Sequence, residues 1–483
     1  MRNPGNGRPR SSSVVAARGV LAVLGLLALS GCILTPAAHV PSARELTETA
    51  KAATVLVQSD FAVTTSLPDP VRVTSKFDAL TVTVQGLINL GQIRTVAAAD
   101  AYYVNEVLTH PDQYFEPGTD RSTDSTTFEA TGSGFFVNSS GDVVTAAHVV
   151  VADKEAMRQD LVASVDESAV QFLTESARAQ LAASGITPTD AQARSMGAWA
   201  ADYVKANVRV DDAKGTYHVA VGQSIAPGDG VKSSGYPATV VTVGAPAPGV
   251  DVAILSIGGH DLPALALGDE SKLGLKSRMV ELGYPCGCDL TRGSVSTPVN
   301  LDLTVTSGVL GPSDKQEGWT AISTTASGTH GDSGGPVIGP DGKVVGIVSY
   351  GYGTSGQTYL VPAGTVAEMI SKAGVKTGTG RVTALYREAQ SDYELHRYAW
   401  AIPLFEQVAK LDPQLPFVVD FIENSKAAIR SGQDRTPPDL SPFFLPTAGL
   451  MMFGGLIAPL VGALLWDEYR GRRGSRTTAV QAC

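Results

Sequence analysis

The sequence predicts a mainly β domain with helical insertions, followed by a C-terminal helical hairpin and one apolar span of membrane-crossing length. Three observations predict it. Short apolar or β-branched runs are separated by glycine-rich turns, as where Gly132-Ser133-Gly134-Phe135-Phe136-Val137 reads as a strand and Ser139-Ser140-Gly141-Asp142 as the turn after it. Two stretches, at about 70–126 and 152–206, break this pattern: Ile93 to Val107 has few turn formers, and 152–206 carries apolar residues at helical spacing. Phe443 to Trp466 contains no charged residue over a length sufficient to cross a bilayer with some tilt.

The 483 residues allow two or three domains, so a large buried core is no difficulty. With 37 basic against 47 acidic residues the formal net charge is −10, which argues against nucleic acid as a partner. Four cysteines are too few for a disulfide scaffold.

Taken in order, residues 1–32 read as an export segment. Arg2, Arg8, Arg10 and Arg18 precede the apolar run from Val20 to Leu29, and Ser30-Gly31-Cys32 comes next. Leu29-Ser30-Gly31-Cys32 is similar to a bacterial lipobox, in which the cysteine is acylated; an uncleaved anchor with an incidental cysteine is the other reading. Either route delivers the β domain outside the cytoplasm.

Ala53-Thr54-Val55-Leu56-Val57-Gln58 suggests the first strand, within about Ala52 to Leu67. In the first insertion Ile93 to Val107 reads as helix. In the second, Leu161, Val162, Val165, Val170 and Leu173 mark a helical face, and Pro188 marks a break before another helix ending near Val204. The insertions serve as a lid, a docking surface or surface decoration. Strands resume at Val208 to Val210, Tyr217 to Gly222 and Ala238 to Val243. Cys286 and Cys288, one residue apart, make a strained disulfide at best and cannot alone hold zinc, leaving a redox pair or two small loop residues.

The chemistry centres on Gly331-Asp332-Ser333-Gly334-Gly335-Pro336. Glycine-rich turns of this kind force a side chain outward, so Ser333 is the candidate nucleophile, and the Gly331 and Ser333 amides are candidate oxyanion donors. A serine hydroxyl is too weakly acidic to attack an amide unaided and needs a base. His148, in Thr145-Ala146-Ala147-His148, is that candidate. Asp251, just before the apolar run Val252 to Leu255, is the candidate orienter of its imidazole.

In the order His, Asp, Ser, these pieces resemble the chymotrypsin-fold (trypsin-like) serine peptidases, and Thr304-Val305-Thr306-Ser307-Gly308-Val309 is similar to the strand before the nucleophile loop of bacterial HtrA/Deg-type members. The resemblance covers about 51–370. It implies two six-stranded antiparallel β-barrels, cleavage of protein or peptide substrates through an acyl-enzyme, no metal and no organic cofactor. It also implies that Ser349-Tyr350-Gly351 is the substrate-pairing strand. Ser327, six residues before the nucleophile, takes the position at which trypsin-like members carry an acid for basic side chains; a small or medium apolar side chain is expected in its place.

No PDZ-like pattern comes after this region, unlike typical HtrA proteins. Ala389, Tyr398, Ala401, Phe405 and Pro413 fall at spacings similar to one tetratricopeptide (TPR) hairpin within 381–430, with Phe417 to Ile429 as a third helix; a plain helical spacer is the alternative. One such repeat needs a surface to pack on, either the preceding domain or another protein. Arg470, Arg472, Arg473 and Arg476 lie just beyond the apolar span and place the tail, 467–483, in the cytoplasm. Gly454, Ala458 and Gly462 form a small-residue ridge compatible with a homodimer in the membrane. The sequence thus predicts a serine endopeptidase of a bacterial envelope, anchored in the cell membrane and acting outside the cytoplasm in quality control or regulatory proteolysis. The alternative is a catalytically silent scaffold that binds peptides or partner proteins.

Overall fold

The computed structural model describes residues 41–221, 235–285, 302–316, 318–350, 357–413, 415 and 417–438. The export segment with Cys32, the Cys286/Cys288 pair, Gly351, the apolar span 443–466 and the basic tail 467–483 lie outside these residues. Among the described residues, no helix is long and apolar enough to cross a membrane.

Helix α1 (Ala43–Ala53) is closed at its start by a capping box between Ser42 and Glu45, and its last residue runs straight into β1 (Thr54–Arg72). After α2 (Thr74–Asn89), α3 (Val96–Thr109) and α4 (Pro111–Tyr114), the chain returns along β2 (Phe115–Phe136). Strand β3 (Asp142–Thr145) and the four-residue α5 (Ala147–Val150) come next, then α6 (Lys154–Ser164), α7 (Glu167–Ala183) and α8 (Asp190–Asn207). Strands β4 (Arg209–Val221), β5 (Tyr236–Val243) and β6 (Ala253–Ser256) complete a closed barrel in the order β1-β2-β3-β6-β5-β4.

β1 and β2 pair from Thr54–Phe135 out to Arg72–Phe115, and β4 pairs with β1 as far as Ser66–Arg209. A three-stranded ribbon therefore leaves the barrel. On one side Phe61 and Val63 are buried against Met157 of α6, which accounts for part of the second insertion. Within the first insertion, expected at 70–126, helix and strand divide the chain. Its helices span 74–114, and 115–126 belong to the returning strand. Ser122 to Thr127 are exposed, so they carry no alternation of apolar and polar side chains. Their strand state comes from backbone pairing with β1.

The two insertions meet at the ribbon's end. Phe77, Leu80, Val84, Ile93 and Tyr114 form their own core. α8 joins it through Ser195 Oγ, which donates to the Thr109 carbonyl (2.9 Å), and through Trp199, whose ring lies 5.6 Å from that of Phe115.

The expected second six-stranded barrel corresponds to a second sheet. It has seven strands, in the order β8 (Thr304–Val309), β7 (Arg278–Gly283), β11 (Pro336–Ile338), β12 (Val344–Tyr350), β13 (Thr358–Pro362), β10 (Thr320–Thr324) and β9 (Asp314–Lys315). It curls until Leu310, just past β8, and Thr324 of β10 meet in a single bridge. Past that bridge the same segment continues along this edge of β10, where β9 pairs Asp314 with Ala321 and Lys315 with Thr320. Helix α9 (Ala363–Lys372) then packs on this sheet through Val366 and Ile370.

The C-terminal hairpin, α10 (Arg381–Glu394), α11 (Tyr398–Leu411) and α12 (Phe417–Arg430), packs on the first barrel. Val382, Tyr386, Ala401, Phe405 and Val418 share one buried cluster with Val55, Val57, Val219 and Leu255. Its apolar face is thus covered by this chain. Phe405 is fully buried, and its ring stacks on Phe421 at 5.2 Å. Phe405→Ala is expected to destabilise the protein by about 3–5 kcal/mol in denaturant titration. Hairpin and barrel signals should fall together, whereas separate transitions would contradict a shared core.

Candidate active site

His148 is presented by α5, whose other residues Ala147, Val149 and Val150 are buried and fix its direction, while the imidazole remains 38% exposed. Asp251 stands one residue before the buried run Val252 to Leu255 that leads into β6, and is itself fully buried. Its Oδ1 accepts the His148 backbone N–H at 2.9 Å, and its Oδ2 faces His148 Nδ1 at 2.7 Å. The Ser349 hydroxyl, from β12 of the second sheet, donates to the same Oδ2 at 2.6 Å. The carboxylate is thus held from both sheets. Burial pushes its pKa up, but the bonds and charge of His148 and the Ser349 hydroxyl outweigh burial and hold it below the usual carboxylate value. An imidazole that donates Nδ1–H to a carboxylate keeps Nε2 as its basic nitrogen.

Ser333 lies in a turn built on Gly331 (φ 98°) and Gly334 (φ 84°), both in the left-handed region that glycine tolerates. At Gly334 a β-carbon would also collide with the Ser133 carbonyl, the Thr145 hydroxyl and the Ala146 amide. Ser133, on β2, grips the turn at two points. Its N–H donates to the Ser333 carbonyl and its hydroxyl to the Gly331 carbonyl, each at 2.7 Å. That hydroxyl accepts the Tyr284 N–H at 2.8 Å, and Thr145 Oγ1 donates to the Ser133 carbonyl at 2.7 Å. From the other side, the Gly334 N–H donates to the Val348 carbonyl at 2.8 Å. Strands of both sheets therefore fix the turn that carries Ser333 and the Gly331 amide.

Two buried acids flank this turn. Asp332 Oδ2 accepts the Thr329 N–H at 2.8 Å, yet burial raises its pKa. Glu281 on β7 is 1% exposed; burial first, and the charge of Asp332 second, push its carboxyl up to about 8. Among the described residues, no group of three or more His, Cys, Asp or Glu side chains is arranged to hold a metal ion.

The expected substrate residues fall out differently from one another. Ser327 is exposed, and Thr358 Oγ1 braces its segment by donating to the Ala326 carbonyl (2.9 Å) and accepting the Gly328 N–H (3.2 Å). Tyr350 stacks on Tyr359 at 4.9 Å. The Ser349 side chain is committed to Asp251, which leaves its backbone for any strand pairing. Ser133, Thr358 and Glu281 have no part in the site that the sequence suggests, and the hydroxyls of Ser349 and Thr145 have no role there. Ser133 sits between two glycines and Thr145 opens the histidine motif, but neither pattern says what the hydroxyl reaches.

Removing the Ser349 hydroxyl tests the anchoring of Asp251. Because the folded pKa of Asp251 is depressed, its contribution to stability is present above the unfolded pKa and lost as pH falls through the folded one. Ser349→Ala should cost about 1.5–3 kcal/mol at neutral pH. It should also move the acid-unfolding midpoint, followed by circular dichroism, to higher pH; an unchanged midpoint would refute the anchoring role.

Residues 132–347 match the trypsin-like peptidase domain family. A probable periplasmic serine endoprotease, DegP-like, of Pseudomonas fluorescens is 32% identical over 154 residues, covering 30% of each chain. A protein of the same description from Pseudomonas putida (strain F1) is 30% identical over 190 residues, 38% of this chain and 35% of its own. Serine protease HTR4 of Bos taurus is 27% identical over 179 residues, 35% of this chain and 33% of its own. The chain thus spans about a third of the length of these curated relatives. A solved structure, the HtrA-type protease AlgW with a decapeptide, aligns over 69% of this chain and 67% of its own at 15% identity and a TM-score of 0.33. Residues 132–347, which carry His148, Asp251 and Ser333, thus match the trypsin-like peptidase domain family and are similar in sequence to DegP-like serine endoproteases.

Proposed function

We propose that this chain is a membrane-anchored serine endopeptidase that works outside the cytoplasm, in envelope quality control or regulatory proteolysis. The observation that carries the reading is the buried Asp251 carboxylate bonded twice to His148, beside a nucleophile turn clamped by two sheets. In this reaction His148 Nε2 takes the proton from Ser333, whose oxygen attacks the peptide carbonyl. The Gly331 and Ser333 amides receive the oxyanion, and Asp251 stabilises the imidazolium. His148 then protonates the leaving amine, the acyl-enzyme forms, and water releases it through the same base. Substrate pairs along Ser349, Tyr350 and Gly351, with its side chain against Ser327. The exposed Ser327 and the lack of an acid there favour a small or medium apolar side chain.

The tether rests on the charge-free run Phe443 to Trp466 and on the arginines after it, with Cys32 as a lipid attachment site. A basic start and a basic tail both place the peptidase domain on the far side of the membrane from the cytoplasm, in line with the DegP-like relatives, which are described as periplasmic. Partner proteins would meet the insertion helices or the exposed face of the hairpin, and the ridge Gly454, Ala458 and Gly462 would support a homodimer.

Fluorophosphonate labelling of the detergent-solubilised chain tests the nucleophile. Wild type should label, and Ser333→Ala and His148→Ala should not; labelling that survives Ser333→Ala would sink the assignment. Asp251→Asn should leave folding intact and lower turnover of a cleaved peptide by roughly 10³–10⁴-fold, because the imidazole then loses its oriented tautomer.

A further inference from the structure

Behind the nucleophile turn lie two carboxyl groups that the triad mechanism does not use. Glu281 and Gly283 are two residues apart on β7, so they point to the same face, about 7 Å apart along the strand. Asp332 packs directly onto that face, where a β-carbon at Gly283 would collide with Oδ1 of Asp332. Glu281 is 1% exposed and Asp332 3%. Among the described residues, no hydrogen-bond donor reaches Glu281 Oε1, Glu281 Oε2 or Asp332 Oδ1. Two buried carboxylates left in this way repel one another and lack compensation for lost water.

We propose that Glu281 is a positioning residue for the reaction. In its acid form it sits beside Asp332 without repulsion, and so keeps in place the turn bearing Ser333 and the Gly331 amide. The inference rests on the serine-peptidase reading and adds a residue that acts through Asp332 without touching substrate. The neighbours of Glu281 leave protonation as its way to be accommodated. Thr306 of β8 and Val337 of β11 stand opposite it in the ladders. Met279, on the same face of β7, joins Val345 and Val348 of β12, Leu360 of β13 and Ile322 of β10 in an apolar cluster. On the turn, His330 is exposed, and Asp332 is the group whose charge acts on Glu281. Ionisation releases the Glu281 proton to solvent and puts a second negative charge beside Asp332, displacing the turn.

A carboxyl raised to about 8 is neutral at pH 7 and ionises as pH rises through that value, so the turn is in place below it and lost above it. The full-length chain in detergent is labelled with a fluorophosphonate probe across about pH 7 to 9.5, with near-UV circular dichroism recorded alongside. The wild-type labelling rate should fall by about tenfold per pH unit above about 8 while the protein stays folded. Glu281→Gln, which keeps shape and a donor but cannot ionise, should retain the neutral rate and lose this fall. Glu281→Leu, equally unable to ionise, should also lose the fall, and an alkaline fall that persists in it would count against the proposal as well. An alkaline fall of equal size in wild type and Glu281→Gln overturns the proposal. So does a wild-type rate that is flat over the whole range, which decides the matter even where the variant does not fold. A wild type unlabelled at every pH would instead sink the serine-peptidase reading.

Discussion

The structure of the site depends on one buried charge. Asp251 is wholly removed from water, a position that costs several kcal/mol for a carboxylate unless donors surround it. Those donors come from two parts of the fold: the His148 backbone and imidazole from the first barrel, the Ser349 hydroxyl from the second sheet. An ionised Asp251 therefore requires that the two sheets be docked. The same docking brings Ser133 of the first barrel onto the carbonyls of Gly331 and Ser333. The docking that gives Asp251 its third donor therefore also holds the turn that carries Ser333.

That dependence explains what is legible in the sequence. His148, Asp251 and Ser333 stand in local patterns that single them out as candidates: a strand end, a residue ahead of a buried run, a turn that glycine favours. Ser349, Ser133 and Glu281 are illegible in these roles because each acts across a strand pairing or an interface that local sequence does not encode. For Ser349 the sequence suggests a backbone role, and the structure turns its hydroxyl to Asp251. The ribbon is hidden for a different reason. Ser122 to Thr127 face solvent, so no buried stripe announces a strand, and the pairing that creates it is with residues more than fifty positions away. The contact between the two ends of the second sheet is hidden as well, since it consists of one bridge and a two-residue strand, too short to leave a pattern.

The helical additions, two in sequence, are one body in space. The first sits at the tip of the ribbon, and α8 of the second meets it there through Ser195 and Trp199. Joining them gives each a partner for an apolar face that neither amphipathic segment buries alone. The C-terminal hairpin solves the same problem by lying on the first barrel, where Phe405 and Tyr386 enter a core shared with Val55 and Leu255. Its packing makes the hairpin part of the folded domain, and leaves only its outer face, with Trp400 partly exposed, for anything else.

The nucleophile turn is thus bordered by acids treated in opposite ways. Asp251 is given three donors and stays ionised, whereas Glu281 is given none and is pushed toward its neutral form by burial and by the charge of Asp332. Environments that separate the pKa values of neighbouring acids in this way divide their roles. An ionised carboxylate beside the imidazole stabilises the cation that develops there. In the proposed reaction, a second and third negative charge behind the turn would oppose the charge that develops on the substrate, and would act through a dry region where screening is weak. Keeping Glu281 protonated removes one of those charges without removing a side chain from the core. In the proposed reaction the ionised Asp251 keeps its negative charge on the histidine side, and a neutral Glu281 leaves Asp332 as the one charged acid of the buried pair behind the turn.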